Sequence, residues 1–270
     1  MKNKTLNERE IIEFQTKILS WYKVNKRDFP WRKTTDPYHI LVSEIMLQQT
    51  QAPRVVVYYE KFIKRFPTIN ELAIAKNPEV LKIWSGLGFN NRAIRLKEIA
   101  KTIMNDLKGN FPQLQADLLK LKGIGSYTAA AIMAFAFNKK AAVIDTNIRR
   151  VLIHELHINQ NISPKRLSEI ALSIIPKGKS RIWHNALMDY GALAATAKQT
   201  MIKSKSKQSK FKGSEREVRG KILKLLLEKK RVSKVDLTEL IQHKNVYEIM
   251  ERMKADGLLG ERKNVVSIKK

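Results

Sequence analysis

The stretch from Asp117 to Arg150 constrains the fold of this chain more than any other, because a Gly-Ile-Gly turn at 123–125 interrupts an otherwise helical, apolar sequence. An alanine-rich run at 129–137 follows the turn and leads towards a carboxylate, Asp145. Glycine tolerates positive φ and the close approach of other atoms, so such a turn leaves backbone N–H groups uncovered. At the start of a helix these groups can bind a phosphate. An ordinary corner between two helices produces the same pattern, so both interpretations stay open at this point.

The charge of the chain indicates a polyanionic partner. Its 270 residues include 52 Lys and Arg against 25 Asp and Glu, a formal net charge of +27, and the pI is near 10.2. Such a charge is typical of nucleic-acid binders. A membrane surface is the alternative, but no uninterrupted apolar run reaches about 18 residues and the N-terminus lacks the apolar core of a signal peptide. We therefore expect a nucleic-acid-binding protein without a membrane segment, located in the cytoplasm, at the nucleoid if the source is prokaryotic.

Apolar periodicity divides the chain into three parts. Helical spacing dominates residues 1–197, which predicts an all-α domain. Residues 198–213 are rich in lysine and contain no acidic residue, a composition typical of a flexible basic linker. Three helical segments and a hairpin pattern follow in residues 214–270, which predicts a small winged-helix module. With 43% hydrophobic residues, the chain can form a core in each domain.

One glutamate lies inside an apolar helical pattern at 39–51. The helical wheel alone favours the solvent face for Glu44 over a pocket. The pattern ends in Gln48–Gln51, four uncharged side chains that suit a base-contacting surface and are also ordinary at a helix end.

A second glycine turn, Ser-Gly-Leu-Gly-Phe at 85–89, places Leu87 and Phe89 close to Arg92. An apolar wedge beside basic residues can enter the base stack of a kinked duplex. The same two side chains could instead staple neighbouring helices, and the pattern does not decide between these interpretations.

Metal and redox sites held by cysteine are excluded, because the chain has none. This removes disulfides, zinc–thiolate sites and iron–sulfur clusters held by four cysteines. His154, His157 and His184 have no carboxylate at a spacing typical of a metal site, so we predict no metal-ligating side chains.

Six motifs follow one another between about residues 27 and 197: Phe-Pro-Trp-Arg at 29–32, Ser-Glu-Ile-Met-Leu-Gln-Gln-Thr-Gln at 43–51, Trp-Ser-Gly-Leu-Gly at 84–88 with Asn-Arg-Ala at 91–93, Leu-Lys-Gly-Ile-Gly-Ser-Tyr-Thr-Ala at 121–129, Ile-Asp-Thr-Asn-Ile-Arg-Arg-Val at 144–151, and Asn-Ala-Leu-Met-Asp-Tyr-Gly-Ala at 185–192. In this order they resemble the helix-hairpin-helix DNA glycosylases related to endonuclease III. The resemblance is strongest to the adenine glycosylases that act on adenine opposite 8-oxoguanine. It implies an all-α fold of two helical subdomains.

The resemblance implies two catalytic carboxyl groups, as cleavage of a glycosidic bond requires. Glu44 would protonate the adenine ring, and Asp145 would stabilise the cationic sugar or bond to it transiently. Apolar neighbours Val42 and Leu47 are expected to favour the protonated form of Glu44 by desolvation. The resemblance thus reverses the preference of the helical wheel.

Other motif positions imply supporting roles. Tyr127 and Asn147 would position the catalytic groups. Tyr127 also stands where relatives with lyase activity carry a Schiff-base lysine, so we expect base removal without efficient strand cleavage. Gln49, Leu87 and Phe89 would fill or wedge the duplex while adenine is rotated out of the stack.

Further DNA contacts follow from the same motifs. The amides of Gly123 and Gly125 would bind a backbone phosphate, with a metal cation at the hairpin as a further expectation, and Arg32 and Arg92 would contact DNA. Relatives commonly carry four cysteines for an iron–sulfur cluster after the last motif, so this chain resembles a cluster-free variant. We also expect no Nudix-like domain for reading 8-oxoguanine.

The expected partner is double-stranded DNA with a mismatch or lesion, bound by a monomer. Two alternatives stay open: a thymine or uracil mismatch glycosylase of the same fold, and a DNA-binding protein without enzymatic activity.

Overall fold

The structure is a computed structural model that describes residues 6–203 and 210–269. Its described helices, in chain order, are α1 Glu8–Asn25, α2 Pro37–Leu47, α3 Ala52–Arg65, α4 Ile69–Ile74, α5 Asn77–Trp84, α6 Asn91–Asn105, α7 Gln115–Lys120, α8 Ser126–Phe135, α9 Thr146–Glu155, α10 Pro164–Ser173, α11 Ser180–Leu193, α12 Ala197–Thr200, α13 Glu215–Lys229, α14 Lys234–Ile241 and α15 Val246–Ala255. The described strands are β1 Arg231–Ser233, β2 Leu259–Arg262 and β3 Val265–Ile268. The all-α prediction for the larger part of the chain is confirmed.

Two compact units make up the chain. The first combines Met1–Leu41 with Pro112–Lys207, and the second combines Val42–Phe111 with Gln208–Lys270. We call them the first unit and the second unit. The predicted boundaries at 1–197, 198–213 and 214–270 cut the chain by sequence composition and stay a prediction.

The first unit is built on helix α11, which packs against α1, α8 and α9. Trp183 of α11 is fully buried and meets the Phe14 ring edge to face, with 5.5 Å between centroids. Helix α1 begins at a capping box in which Asn7 and Glu10 exchange hydrogen bonds, which satisfies two of its free N–H groups. Helices α9 and α11 also pack directly against each other.

The second unit contains two clusters of elements. Helices α3 to α6 bury Phe62, Phe66 and Trp84, and the Phe62 and Trp84 rings meet edge to face at 5.9 Å. In the C-terminal part, α13, α14 and α15 pack beside a three-stranded antiparallel sheet of order β1-β3-β2. Lys263 and Asn264 form the tight turn between β2 and β3, both with positive φ. Three helices with this sheet agree with the predicted winged-helix module.

Residues 149–175 are divided between α9 and α10, and Pro30–Arg32 forms a 3-10 turn. The structure differs from the sequence expectation at the predicted linker. Helix α12 begins at Ala197, one residue before the predicted linker, and extends into it as far as Thr200; Thr196 and Gln199 form a capping box at its start. Residues 204–209 of that linker lie outside the described residues. In the part of the chain that the structure describes, we find no helix long and apolar enough to cross a membrane.

Candidate active site

Asp145 is the N-cap of helix α9, and its carboxylate is held from two sides. Oδ1 accepts the N–H of Ile148 at 2.7 Å, and Oδ2 accepts a hydrogen bond from Nδ2 of Asn147 at 3.0 Å. Burial raises the pKa of Asp145 above its ordinary value and outweighs these two hydrogen bonds, which favour the charged form. The result is a fixed carboxyl group in a desolvated position.

Arg150, one turn further along α9, orients Asn147. Its Nη2 donates to Oδ1 of Asn147 at 2.7 Å, so the amide nitrogen of Asn147 is the atom that faces Asp145. The same guanidinium donates to the carbonyls of Gly191 and Ala195, both at 2.6 Å. Arg150 is 6% exposed. It therefore connects the end of α11 to the candidate catalytic carboxylate through one amide.

Gly191 permits the close approach of α11 to this network. A Cβ atom at position 191 would lie 2.9 Å from both the Cβ and the carbonyl oxygen of Asn147. Real Cβ atoms are almost never found so close to other heavy atoms, so any larger residue would push Asn147 away from Asp145. The motif at 185–192 thus contributes space, a role that its residue pattern does not indicate.

The hairpin at 123–125 precedes α8. Gly123 has a φ of 105°, which favours glycine, and Gly125 is the N-cap of α8 without a side-chain cap. The space beside Gly125 is open, because an added Cβ would meet no atom within 4 Å. Tyr127 is half-buried in the first turn of α8. Uncapped N–H groups beside open space agree with the predicted phosphate site, which stays a prediction.

Arg32 is engaged inside the first unit. Its Nη1 and Nη2 donate to the two carboxylate oxygens of Asp189, each at 2.8 Å, and Arg27 adds its backbone N–H and its Nε. Asp189 is fully buried; burial alone raises its pKa, but Arg32 and Arg27 outweigh burial and hold the pKa below its ordinary value. These contacts are structural, and the expected DNA contact of Arg32 stays a prediction.

Glu44 lies on helix α2 and is only 5% exposed, and Val42, Ile45 and Met46 on the same helix are buried as well. The solvent-face interpretation from the helical wheel is therefore wrong. Gln49 follows the helix with a φ of 57°, so the chain turns sharply at this residue.

Arg92 connects the end of α2 to the glycine turn, which we call the wedge loop (residues 85–89). It is 4% exposed, and its guanidinium donates to the carbonyls of Ile45, Met46, Gln48, Gly88 and Phe89 and to the Thr50 hydroxyl. Burial lowers the pKa of Arg92 to about 10, which leaves it charged at neutral pH. A cation at the C-terminal end of a helix is favourable. The sequence predicted that Arg92 binds DNA, whereas its contacts here are internal, so that role stays a prediction.

The two apolar residues of the wedge loop differ in exposure. Leu87 is 4% exposed, which agrees with the alternative interpretation that it packs inside the protein. Phe89 is half-buried, has a φ of 49°, and has the guanidinium of Arg92 5.2 Å from its ring centroid. A wedge role for Leu87 would require it to move when DNA binds.

The structure thus brings Asp145 and Asn147 together in the first unit, with Arg150 added. In the second unit it joins the segment after Glu44, including Gln48, to the wedge loop.

A family model for the HhH-GPD superfamily of base excision DNA repair proteins matches residues 42–177, half of the chain. The chain belongs to this superfamily.

Individual HhH-GPD relatives support this assignment. An adenine DNA glycosylase of Buchnera aphidicola subsp. Baizongia pistaciae is 41% identical over 186 residues, which cover 68% of this chain and 53% of the relative. The chain therefore spans about half the length of that protein. A thymine/uracil-DNA glycosylase of Methanothermobacter thermautotrophicus is 38% identical over 72% of this chain and 88% of the relative. The solved structure of a thermostable thymine-DNA glycosylase aligns with a TM-score of 0.63 at 37% identity, covering 68% and 87% of the two chains.

A cysteine-held iron–sulfur cluster does not fit, because the chain has no cysteine. In the segment 191–196, which follows the last motif, Arg150 donates to the carbonyls of Gly191 and Ala195, and Thr196 begins the capping box of α12. No three His, Cys, Asp or Glu side chains within 6–203 and 210–269 could hold a metal ion. A cation at the hairpin would depend on backbone carbonyl oxygens, and it stays a prediction.

His184 makes its hydrogen bonds inside the first unit. It is buried, and its Nδ1 donates to the carbonyl of Ser180 at 2.7 Å. Burial lowers the pKa of His184 to about 4, so the imidazole is neutral at physiological pH.

Proposed function

We propose that this protein is a monofunctional DNA glycosylase that removes adenine mispaired with 8-oxoguanine or guanine by hydrolysing its N-glycosidic bond. The observation that carries the proposal is the burial of Glu44 on α2, on the helix that leads into the Gln48–Gln51 block. The similarity to proteins named adenine DNA glycosylases supports the same choice of base.

The leaving group explains why a buried carboxyl favours adenine. Adenine departs as a neutral base only after a ring nitrogen has accepted a proton, so the site needs an acid that is protonated near neutral pH. Desolvation favours the protonated form of a carboxyl such as Glu44. Thymine and uracil can depart as anions, for which hydrogen-bond donors are the more useful partners.

The second carboxyl would act on the sugar. As the C–N bond breaks, positive charge develops at C1′, and the carboxylate of Asp145 stabilises it through space or through a transient bond. Asn147 keeps that carboxylate in place, and Tyr127 helps to position the sugar. Water then adds to C1′, which leaves free adenine and an abasic site. Because Tyr127 has no amine, no Schiff base forms and the strand is not cleaved efficiently.

The DNA partner would be bound at several points. The N–H groups at Gly123 and Gly125 would bind a backbone phosphate, and Gln49, Leu87 and Phe89 would occupy the space that the rotated adenine leaves. A net charge of +27 supports this partner. We expect a monomer that works on chromosomal DNA in the cytoplasm.

One observation favours a second candidate, a thymine or uracil mismatch glycosylase. The archaeal relative with that name is 38% identical and is matched over 88% of its length, against 53% for the Buchnera adenine glycosylase. A chain of similar extent could share its substrate.

The two candidates are separated by incubating the protein with four labelled duplexes, which carry A opposite 8-oxoguanine, A opposite G, T opposite G and U opposite G. Alkali then converts abasic sites to strand breaks. We expect breaks at adenine, and only after alkali. Breaks at thymine or uracil alone would overturn the adenine assignment, and breaks before alkali would contradict the argument from Tyr127. A complete lack of breaks would favour a binding protein without enzymatic activity.

A further inference from the structure

Four side chains of the second unit alternate between cations and aromatic rings. The guanidinium of Arg216, in the first turn of α13, lies 5.2 Å from the ring centroid of Phe89 and 6.0 Å from that of Phe211. Arg92 lies 5.2 Å from the Phe89 centroid as well. Arg92, Phe89, Arg216 and Phe211 therefore form a series that leads from a buried guanidinium to a ring that is 59% exposed.

The exposed ring lies on a defined turn. The backbone N–H and the hydroxyl of Ser214 both donate to the carbonyl of Phe211, at 3.0 and 2.6 Å. Lys210 and Lys212, on either side of Phe211, are exposed. A large aromatic side chain on a fixed turn has less conformational entropy to lose on binding than one on a mobile segment.

The carboxylates next to this turn are already paired. Glu215 lies 3.3 Å from Nη2 of Arg252, and Glu217 accepts the N–H of Gly213 at 2.7 Å and pairs with Lys221 at 2.9 Å. Their charges are compensated within the C-terminal part. The local field beside Phe211 therefore keeps the positive sign set by Lys210 and Lys212.

We propose that Lys210, Phe211, Lys212 and Arg216 form a second DNA contact beside the wedge loop, an inference that rests on the proposed function. The two lysines neutralise phosphates, and the Phe211 ring packs against a base or sugar of the duplex that Phe89 distorts. Basic residues that alternate with aromatic rings are the usual chemistry for binding unstacked nucleic acid. Continuity with Phe89 favours DNA over a protein partner.

The proposed contact gives the C-terminal part a role in DNA binding. Helix α15, the third helix of this part, has the exposed carboxylate Glu248 on its outer face, whereas Glu251 is paired with Lys254. Phosphates repel the Glu248 carboxylate, so α15 is less suited to enter a groove. The N-terminal edge of α13 is the side that combines positive charge with an exposed ring and adjoins the wedge loop.

Binding of full-length protein to a labelled duplex with A opposite 8-oxoguanine tests the proposal by fluorescence anisotropy. The Asp145→Asn background keeps the substrate intact. We expect Phe211→Ala to weaken binding by about fivefold or more, and Phe211→Trp to restore it. Lys210→Ala combined with Lys212→Ala should lower the slope of log Kd against log salt by about 2.

Matched controls come from the same part of the chain. Tyr247, 48% exposed on α15, supplies an aromatic control, and Lys224 with Lys229, exposed on α13, supply a lysine pair. Their alanine variants should bind like the parent. Equal losses in the controls, or unchanged binding after Phe211→Ala in a variant with an unchanged melting temperature, would overturn the proposal.

The outcome is separable from that of the proposed function. If the wild-type protein removes adenine but Phe211 and the lysines do not affect binding, only the second contact is wrong. If binding depends on these residues but no adenine is released, the contact stands and the proposed activity fails.

Discussion

The side chain of Asp145 has two roles. It caps helix α9 through the N–H of Ile148, and it carries the charge proposed to stabilise the sugar cation. Asn is as good an N-cap residue as Asp. Asp145→Asn should therefore keep the helix and remove the charge. We expect single-turnover excision of adenine to fall by about 10³-fold, with duplex affinity and melting temperature retained.

Rates under single-turnover conditions and Kd values on the same duplex measure this effect. Asp117→Asn, an exchange in α7 outside the Asp145 network, serves as the control. Normal turnover by Asp145→Asn would show that another group stabilises the sugar.

A second prediction concerns the contribution of Asp189 to the free energy of unfolding. Asp189 is fully buried against Arg32 and Arg27, so removal of its charge leaves two cations without their partner. Asp189→Asn should lower the free energy of unfolding at neutral pH by about 3 kcal/mol. Asp28→Asn, which breaks only the exposed pair with Lys33, should change it little.

The pH dependence follows from the lowered pKa of Asp189. A carboxyl with a depressed folded-state pKa contributes its full stability above the unfolded pKa, near 3.8, and loses it as the pH falls through the folded value. The difference between wild type and Asp189→Asn should therefore be constant near neutral pH and shrink in acid. Urea denaturation across this range measures it, and a difference that grows in acid would contradict the assignment.

At the scale of elements, the guanidinium of Arg92 holds the end of α2 and the wedge loop together. Arg92→Met would leave several buried carbonyls without a donor and release both segments. A misplacement of about 1 Å costs about 100-fold in rate, so we expect a loss of that size in single-turnover excision. Arg92→Lys should recover part of it.

Arg95→Met, an exchange of an exposed arginine on the same helix, is the matched control. Rates are compared well below the melting temperature of each variant. A variant at position 92 that is less stable but excises adenine at the normal rate would reduce Arg92 to a purely structural residue.

Sequence patterns predicted the secondary-structure elements better than they predicted which side chains contact each other. Helical periodicity and glycine turns are local properties, so the sequence predicts the helical character of residues 1–197 and the turn at 123–125. Arg32 contacts Asp189, which is 157 positions away, and Arg92 contacts Gln48 at a separation of 44 positions. Packing selects such partners, and the family resemblance had implied DNA contacts for both arginines. Strand β1 has three residues, too few to show a period of two.

At the scale of the whole molecule, the net charge of +27 is the property that most strongly predicts DNA binding. Each phosphate that a lysine or arginine neutralises releases condensed counterions, so affinity falls as salt rises. With about six to ten such contacts, we expect Kd to rise by about 10³-fold or more between 50 and 200 mM salt. An affinity that is flat over this range would show that the charge does not serve DNA binding.

The lysine-rich segment at 198–213 allows this prediction to be tested by region. Exchange of Lys198, Lys203, Lys205 and Lys207 for glutamine removes four charges and leaves Lys210 and Lys212 in place. If all four contact phosphates, the slope of log Kd against log salt should fall by about 4. The excision rate at saturating protein should not change, because these lysines add affinity without touching the reacting bond. A reduced saturating rate with an unchanged slope would instead place the segment at the catalytic step.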